Sequence, residues 1–116
     1  MRMEVINDYV FDNPNPIELI IGDTVRLGEK TDPNGPYPNW IFCTSERTGR
    51  TGWVAENILS IKDGAGVAAQ DYTAKEMSVA AGEIVDAMYE LNGWYWCARV
   101  KDADEGWVAK DNLRLP

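Results

Sequence analysis

The chain has 116 residues, no histidine, and 19 acidic against 11 basic side chains, which gives a net charge of −8. Because no basic stripe is present to neutralise phosphates, we expect neither nucleic acid nor a membrane surface as a partner. The absence of histidine removes Ser–His and Cys–His catalytic pairs as well as histidine-ligated metal sites. We therefore expect a folded protein that is not an enzyme and uses no cofactor or metal.

The N-terminal segment and the cysteines indicate the cellular compartment. From Met1 the chain runs directly into polar residues, without an apolar stretch long enough for a signal peptide or a membrane span. Cys43 and Cys97 stand at equivalent positions within apolar segments, where free thiols behave as small hydrophobic groups. We expect a cytoplasmic protein with two buried, reduced thiols.

Short strands separated by turns are predicted along the whole chain. Strand-like alternation is found in four segments: Thr24–Leu27, Trp40–Cys43, Ile84–Met88 and Trp94–Cys97. Gly, Pro and Asn are dense between these segments, and Asp102–Glu105 is predicted to form a hairpin turn. No segment keeps a helical period, although a single 3₁₀ turn is expected near 55–57 and near 109–112. This pattern indicates an all-β fold, built as a small barrel or sandwich.

An internal repeat divides the sequence. Gly-Trp-Val-Ala stands at 52–55 and again at 106–109, and Trp40 and Trp94 precede the two copies at equal distances. A fixed internal period defines the unit that must fold. We expect one domain over 1–62 and a second over 63–116, joined by a short linker, and each is large enough for a small core.

The order of motifs resembles tandem Src-homology-3-like (SH3) proteins, of a bacterial type. The first copy carries Asp8-Tyr9, Gly22-Asp23 and the Gly-Trp-Val-Ala segment, and the second carries Asp71-Tyr72, Gly82-Glu83 and the same ending. The resemblance implies two tandem SH3-like five-stranded small barrels. It also implies a non-enzymatic module that binds an extended, Pro-rich or basic peptide of a partner protein through aromatic grooves.

The resemblance also implies a set of ligand-binding residues. The groove aromatics are Tyr9, Trp40 and Trp53 in the first copy, and Tyr72, Trp94 and Trp107 in the second. The acidic side chains that would meet a basic ligand are Asp12, Glu18 and Glu76. Other groove positions depart from the family pattern, because they hold Asn7, Gln70, Ala55, Ala109, Ile58 and Asn112. Half of the usual groove is therefore missing in both copies.

A second aromatic surface leaves three interpretations open. If Cys43 and Cys97 face the core, strand alternation turns Phe42 and Trp96 outward beside the groove tryptophans. Such apolar patches usually mark contacts. The patch could pack against the other repeat, bind an external ligand, or simply stay partly exposed. In a structural alternative, the aromatic faces are buried between the repeats or in a homodimer. A further alternative is an SH3-like module that binds the peptides of bacterial cell walls.

Overall fold

The computed structural model describes all residues from 1 to 116, and strands form its architecture. The strands are β1 (Arg2–Val5), β2 (Glu18–Leu19), β3 (Thr24–Lys30), β4 (Trp40–Ser45), β5 (Thr51–Ala55), β6 (Leu59–Lys62), β7 (Ala65–Ala68), β8 (Tyr72–Thr73), β9 (Ile84–Leu91), β10 (Trp94–Arg99), β11 (Glu105–Ala109) and β12 (Leu113–Arg114). Two 3₁₀ turns, Glu56–Ile58 and Lys110–Asn112, are the only helical segments. No helix is long and apolar enough to cross a membrane.

Two five-stranded sheets have matching strand orders. One follows β11-β10-β9-β1-β12 and the other β5-β4-β3-β7-β6, while β2 and β8 form a small two-stranded sheet. The pairs within the two large sheets are antiparallel. The expected all-β fold is confirmed, and each of the four predicted strand segments lies within an observed strand. Neither large sheet closes on itself, so closed barrels are not observed.

The first strands of the two repeats are exchanged. β1 comes from the first repeat but lies between β9 and β12 of the second, where Met3 is opposite Val85 and Val5 is opposite Leu113. In the other sheet, β7 opens the second repeat but lies between β3 and β6 of the first. Each repeat therefore completes the sheet of the other.

A tight turn explains the exchange. Asp63 and Gly64 join β6 to β7 and have φ angles of +54° and +78°. Positive φ at both central residues is typical of the type I′ turn, which matches the twist of a hairpin and folds the second strand directly onto the first. β7 therefore pairs along β6, and Ser60 is opposite Val67. With that place in the sheet filled, β1 pairs with the second repeat instead.

The exchange divides the chain into two compact units. The terminal unit contains Met1–Asp12 and Lys75–Pro116, and the central unit contains Asn13–Ala74. The chain passes between the units after residue 12 and after residue 74, which differs from the expected boundary between 62 and 63. The reason is the hairpin turn, because it keeps 63–74 with the first repeat.

Each unit has its own apolar interior. In the terminal unit, β1 contributes Met3 and Val5 to a core that also contains Val85, Cys97 and Val108. Burying each of these two β1 side chains contributes about 1.5–3 kcal/mol, so the N-terminal segment is a structural part of this unit. In the central unit, the largest fully buried side chains include Ile17, Val25, Ile41 and Val54. Cys43 and Cys97 are buried and free, as expected.

Candidate functional site

The terminal unit pairs a tyrosine hydroxyl with a carboxylate at its surface. Tyr9 is 41% exposed, and its hydroxyl donates a hydrogen bond to Oε1 of Glu76. Burial raises the pKa of Glu76, and the hydrogen bond from Tyr9 opposes that rise. The two residues come from different repeats, so strand exchange brings them together.

Backbone contacts hold Glu76 against β11. The amide of Trp107 donates to the carbonyl of Lys75 at 3.0 Å, and the amide of Met77 donates to the carbonyl of Trp107 at 3.0 Å. This approach requires a glycine before the tryptophan, because a Cβ on Gly106 would lie 2.7 Å from the backbone nitrogen of Met77. The glycine of the repeated Gly-Trp-Val-Ala segment thus permits the loop of Glu76 to reach the strand.

Aromatic rings extend the surface beside this loop. Trp96 is opposite Trp107 on the neighbouring strand, and their ring centroids are 5.2 Å apart in an edge-to-face arrangement. Trp94 is two residues from Trp96 and is also half-buried, so strand alternation places both on one face of β10. Trp107 itself is buried. The surface combines ring faces with a carboxylate, which suits a ligand that is apolar and basic.

Two hydrogen bonds join the side chain of Asn112 to the backbone of Asn7, at positions where the groove departs from the SH3 pattern. The amide of Asn7 donates to Oδ1 of Asn112 at 2.9 Å, and Nδ2 of Asn112 donates to the carbonyl of Asn7 at 3.0 Å. These two positions carry tyrosines in the SH3 pattern that the sequence resembles. Here the asparagine tethers the N-terminal segment to the 3₁₀ turn, so the position serves the fold.

The central unit has a different surface at the equivalent positions. Tyr72 is only 8% exposed, and its hydroxyl donates to the carbonyl of Trp53 at 2.8 Å. The sequence predicts that Trp40 faces outward, but it is buried. Phe42 and Trp53 remain exposed and pack edge to face, with centroids 5.3 Å apart. In the central unit, Phe42 and Trp53 are thus exposed, whereas Tyr72 and Trp40, which its groove would need, are buried.

The three predicted acidic residues do not share one role. Tyr9 is opposite Val79 in the terminal unit, and Tyr72 is opposite Leu19 in the central unit. Glu76 stands three residues before Val79, and the residue three before Leu19 is Pro16. The central unit thus has no carboxylate at that position. Glu18 is exposed on β2 opposite Thr73, and Asp12 is exposed at the end of the N-terminal segment, where the chain leaves the terminal unit.

The exchange also changes which predicted residues belong together. The repeat predicts Tyr9 beside Trp40 and Tyr72 beside Trp94, whereas the structure places Tyr9 in the unit of Trp94 and Tyr72 in the unit of Trp40. Sequence reasoning missed Tyr89, whose ring packs edge to face on Trp107 with centroids 5.6 Å apart. Its position opposite Trp96 depends on strand register, which the sequence does not reveal.

A sheet of short antiparallel strands, a long loop after Asp-Tyr and an aromatic surface together define the class of SH3-like interaction modules. The family model described as variant SH3 domain matches residues 2–62. That span is more than half of the chain, which therefore belongs to the variant SH3 domain family. No curated protein and no solved structure gives a significant match. SH3-type domains are in general non-catalytic and bind peptides or proteins.

Proposed function

We propose that the protein is a tandem, strand-exchanged pair of SH3-like domains that binds an extended basic segment of a partner protein through its terminal unit. The observation that carries this proposal is the Tyr9–Glu76 pair, which lies against Trp107 on β11. A carboxylate held near ring faces attracts an arginine or lysine side chain, because both groups favour a cation.

The terminal unit is the binding unit in this proposal, and charge supports the assignment. It carries 11 acidic and 6 basic residues, a net charge of −5, against 8 and 5 in the central unit, a net charge of −3. Acidic surroundings favour the approach of a basic segment. In the central unit, Tyr72 and Trp40 are buried and Pro16 stands at the position of the acidic residue. We therefore assign the central unit a structural role.

The mode of recognition differs from the binding of a proline helix alone. The side chain of Asn112 is hydrogen-bonded to the backbone of Asn7, and Ala109 takes the place of the proline that lines the groove in the SH3 pattern. With these positions unable to pack proline rings, the basic residue of the ligand supplies most of the specificity. The Glu76 carboxylate is its partner, in competition with the hydroxyl of Tyr9.

Nuclear magnetic resonance titration with a proline-rich, arginine-containing peptide tests the proposal. We expect shifts at Tyr9 and at the indole N–H resonances of Trp94 and Trp107. Loss of the charged hydrogen bond in Glu76→Gln weakens binding about tenfold. Glu18→Gln is the matched control and leaves the affinity unchanged. Shifts confined to Trp40 and Trp53, or equal affinity in both variants, would overturn the assignment.

A further inference from the structure

Three aromatic rings form a row across the terminal sheet. Tyr89 on β9 is opposite Trp96 on β10, which is opposite Trp107 on β11. Trp107 packs edge to face with both other rings, at centroid distances of 5.6 Å to Tyr89 and 5.2 Å to Trp96. Trp107 is buried, whereas Tyr89 is 54% exposed and Trp96 is half-buried. The row therefore presents Tyr89 and Trp96 to a ligand and uses Trp107 as their support.

An exposed carboxylate stands on the same face. Glu105 lies two residues before Trp107 on β11, so strand alternation gives both side chains one face of the sheet. Burial raises the pKa of the Tyr89 hydroxyl, and the negative charge of Glu105 raises it further. The nearby Glu90 is paired with Lys110, but Glu105 takes part in none of the nine ion pairs.

The central unit lacks this arrangement. Phe42 is opposite Trp53 there. Leu27 is opposite Cys43 as Ala87 is opposite Cys97, and two residues further on the sequence has Glu29 in the central unit and Tyr89 in the terminal unit. Phe42 and Trp53 pack edge to face in the central unit, with centroids 5.3 Å apart. The exposed members of the row, Tyr89 and Trp96, lie on β9 and β10, whereas the Tyr9–Glu76 pair meets the sheet at Trp107 on β11.

We propose that Tyr89, Trp96 and Glu105 form a second site, which binds an arginine side chain of the partner protein. A guanidinium group stacks flat on an aromatic ring and can still donate hydrogen bonds to a carboxylate, which a compact ammonium does less well. Net negative charge on the unit adds to the attraction. This inference rests on the proposed function in one respect, because it takes a protein segment as the ligand.

A titration with two peptides tests the site without any variant. One peptide carries a single arginine and the other carries citrulline, which has nearly the same shape but no charge. We expect the arginine peptide to shift the indole N–H resonance of Trp96, and the citrulline peptide to bind at least about fivefold more weakly. Equal effects of the two peptides on Trp96 would overturn the proposal.

Variants separate this site from the Tyr9–Glu76 pair. Tyr89→Leu removes the ring and abolishes the arginine-dependent shift of Trp96, whereas Tyr89→Phe, the matched control, retains it. Glu105→Gln weakens the response, and Glu76→Gln leaves it in place. If the arginine peptide instead shifts only Trp94, and Glu76→Gln removes that shift, the proposed function stands and the second site is refuted. Silence at both Trp94 and Trp96 refutes both proposals.

Discussion

The carboxylate of Asp71 accepts a hydrogen bond from the backbone amide of Ile21, with Oδ1 2.8 Å from the nitrogen. The reciprocal bond joins Oδ1 of Asp8 to the amide of Ala81 at 2.7 Å. Each Asp-Tyr motif therefore holds the turn of the other repeat. The exchange extends beyond the strands into the loops, and it assembles the surface on which Tyr9 meets Glu76.

Removing one of these carboxylates should disturb a turn in the other repeat. In Asp8→Ala, the amide of Ala81 loses its acceptor, and we expect about 1 kcal/mol of lost stability together with a large shift of the Ala81 amide resonance. Asp12→Ala is the matched control, because Asp12 is exposed and near the end of the same segment. A shift at Ile21 in place of Ala81 would contradict the reciprocal pairing.

The two equivalent glycines should differ in their tolerance of alanine. A Cβ on Gly106 would meet the backbone of Met77, whereas a Cβ on Gly52 would meet Cγ2 of Ile17, also at 2.7 Å. A side chain yields more easily than a backbone, so Gly106→Ala should cost about 1–3 kcal/mol and Gly52→Ala less. Urea unfolding of the two variants measures the difference, and the reverse order would refute this account of the motif.

The raised pKa of Glu76 predicts a pH-dependent gain in stability on its replacement. A carboxyl whose pKa is higher in the folded than in the unfolded state destabilises the fold as the pH rises above its unfolded value, about 4.3. Glu76→Gln removes this pH-dependent destabilisation, and the glutamine carbonyl oxygen can still accept the hydrogen bond from the Tyr9 hydroxyl. The variant should therefore gain stability relative to the natural chain from about pH 4.3 upward.

Unfolding measurements across the acidic range test this expectation. Glu18→Gln serves as the control, because exposed substitutions of this kind change stability little. A stability difference between the Glu76→Gln variant and the natural chain that stays constant with pH would contradict the burial of the carboxyl. So would a difference that falls as the pH rises.

The thiols of Cys43 and Cys97 should be inert in the folded protein. Burial raises their pKa values to about 11 and about 12, so almost no thiolate exists at neutral pH. At about pH 8, close to the pKa of a free cysteine, we expect no reaction with an aromatic disulfide reagent until denaturant is added. Rapid labelling of the folded protein would show that the cores open.

The strands and the repeat could be predicted from the sequence because both depend on local patterns. Alternation at Trp40–Cys43 and Trp94–Cys97 marks a strand whichever sheet it joins. For the same reason the exchange could not be predicted from alternation, since β1 would bury Met3 and Val5 in either sheet. The informative signal is Asp63-Gly64, a typical hairpin turn that the repeat alone assigns to a short linker.

The site was predictable as a set of residue types but not as an arrangement. Family resemblance identified Tyr9, Trp94, Trp107 and Glu76, yet their grouping depends on the exchange. The burial of Trp40 depends on tertiary packing, and the alignment of Tyr89 with Trp96 depends on a register that shifts at a bulge between Trp96 and Cys97. None of these features has a local sequence signature.

Strand exchange is the central claim, and an engineered disulfide tests it most directly. Glu4 is opposite Arg114 in the exchanged sheet, whereas an unexchanged arrangement would place Glu4 opposite Ser60, the counterpart of Arg114 in the first repeat. A disulfide requires Cα atoms about 4.4–6.8 Å apart, so only the true neighbour can be bridged. Each pair of positions is replaced by cysteines, and non-reducing electrophoresis of the oxidised monomer shows which pair forms a disulfide. The structure predicts cross-linking in Glu4→Cys/Arg114→Cys and none in Glu4→Cys/Ser60→Cys, and the opposite result would contradict it.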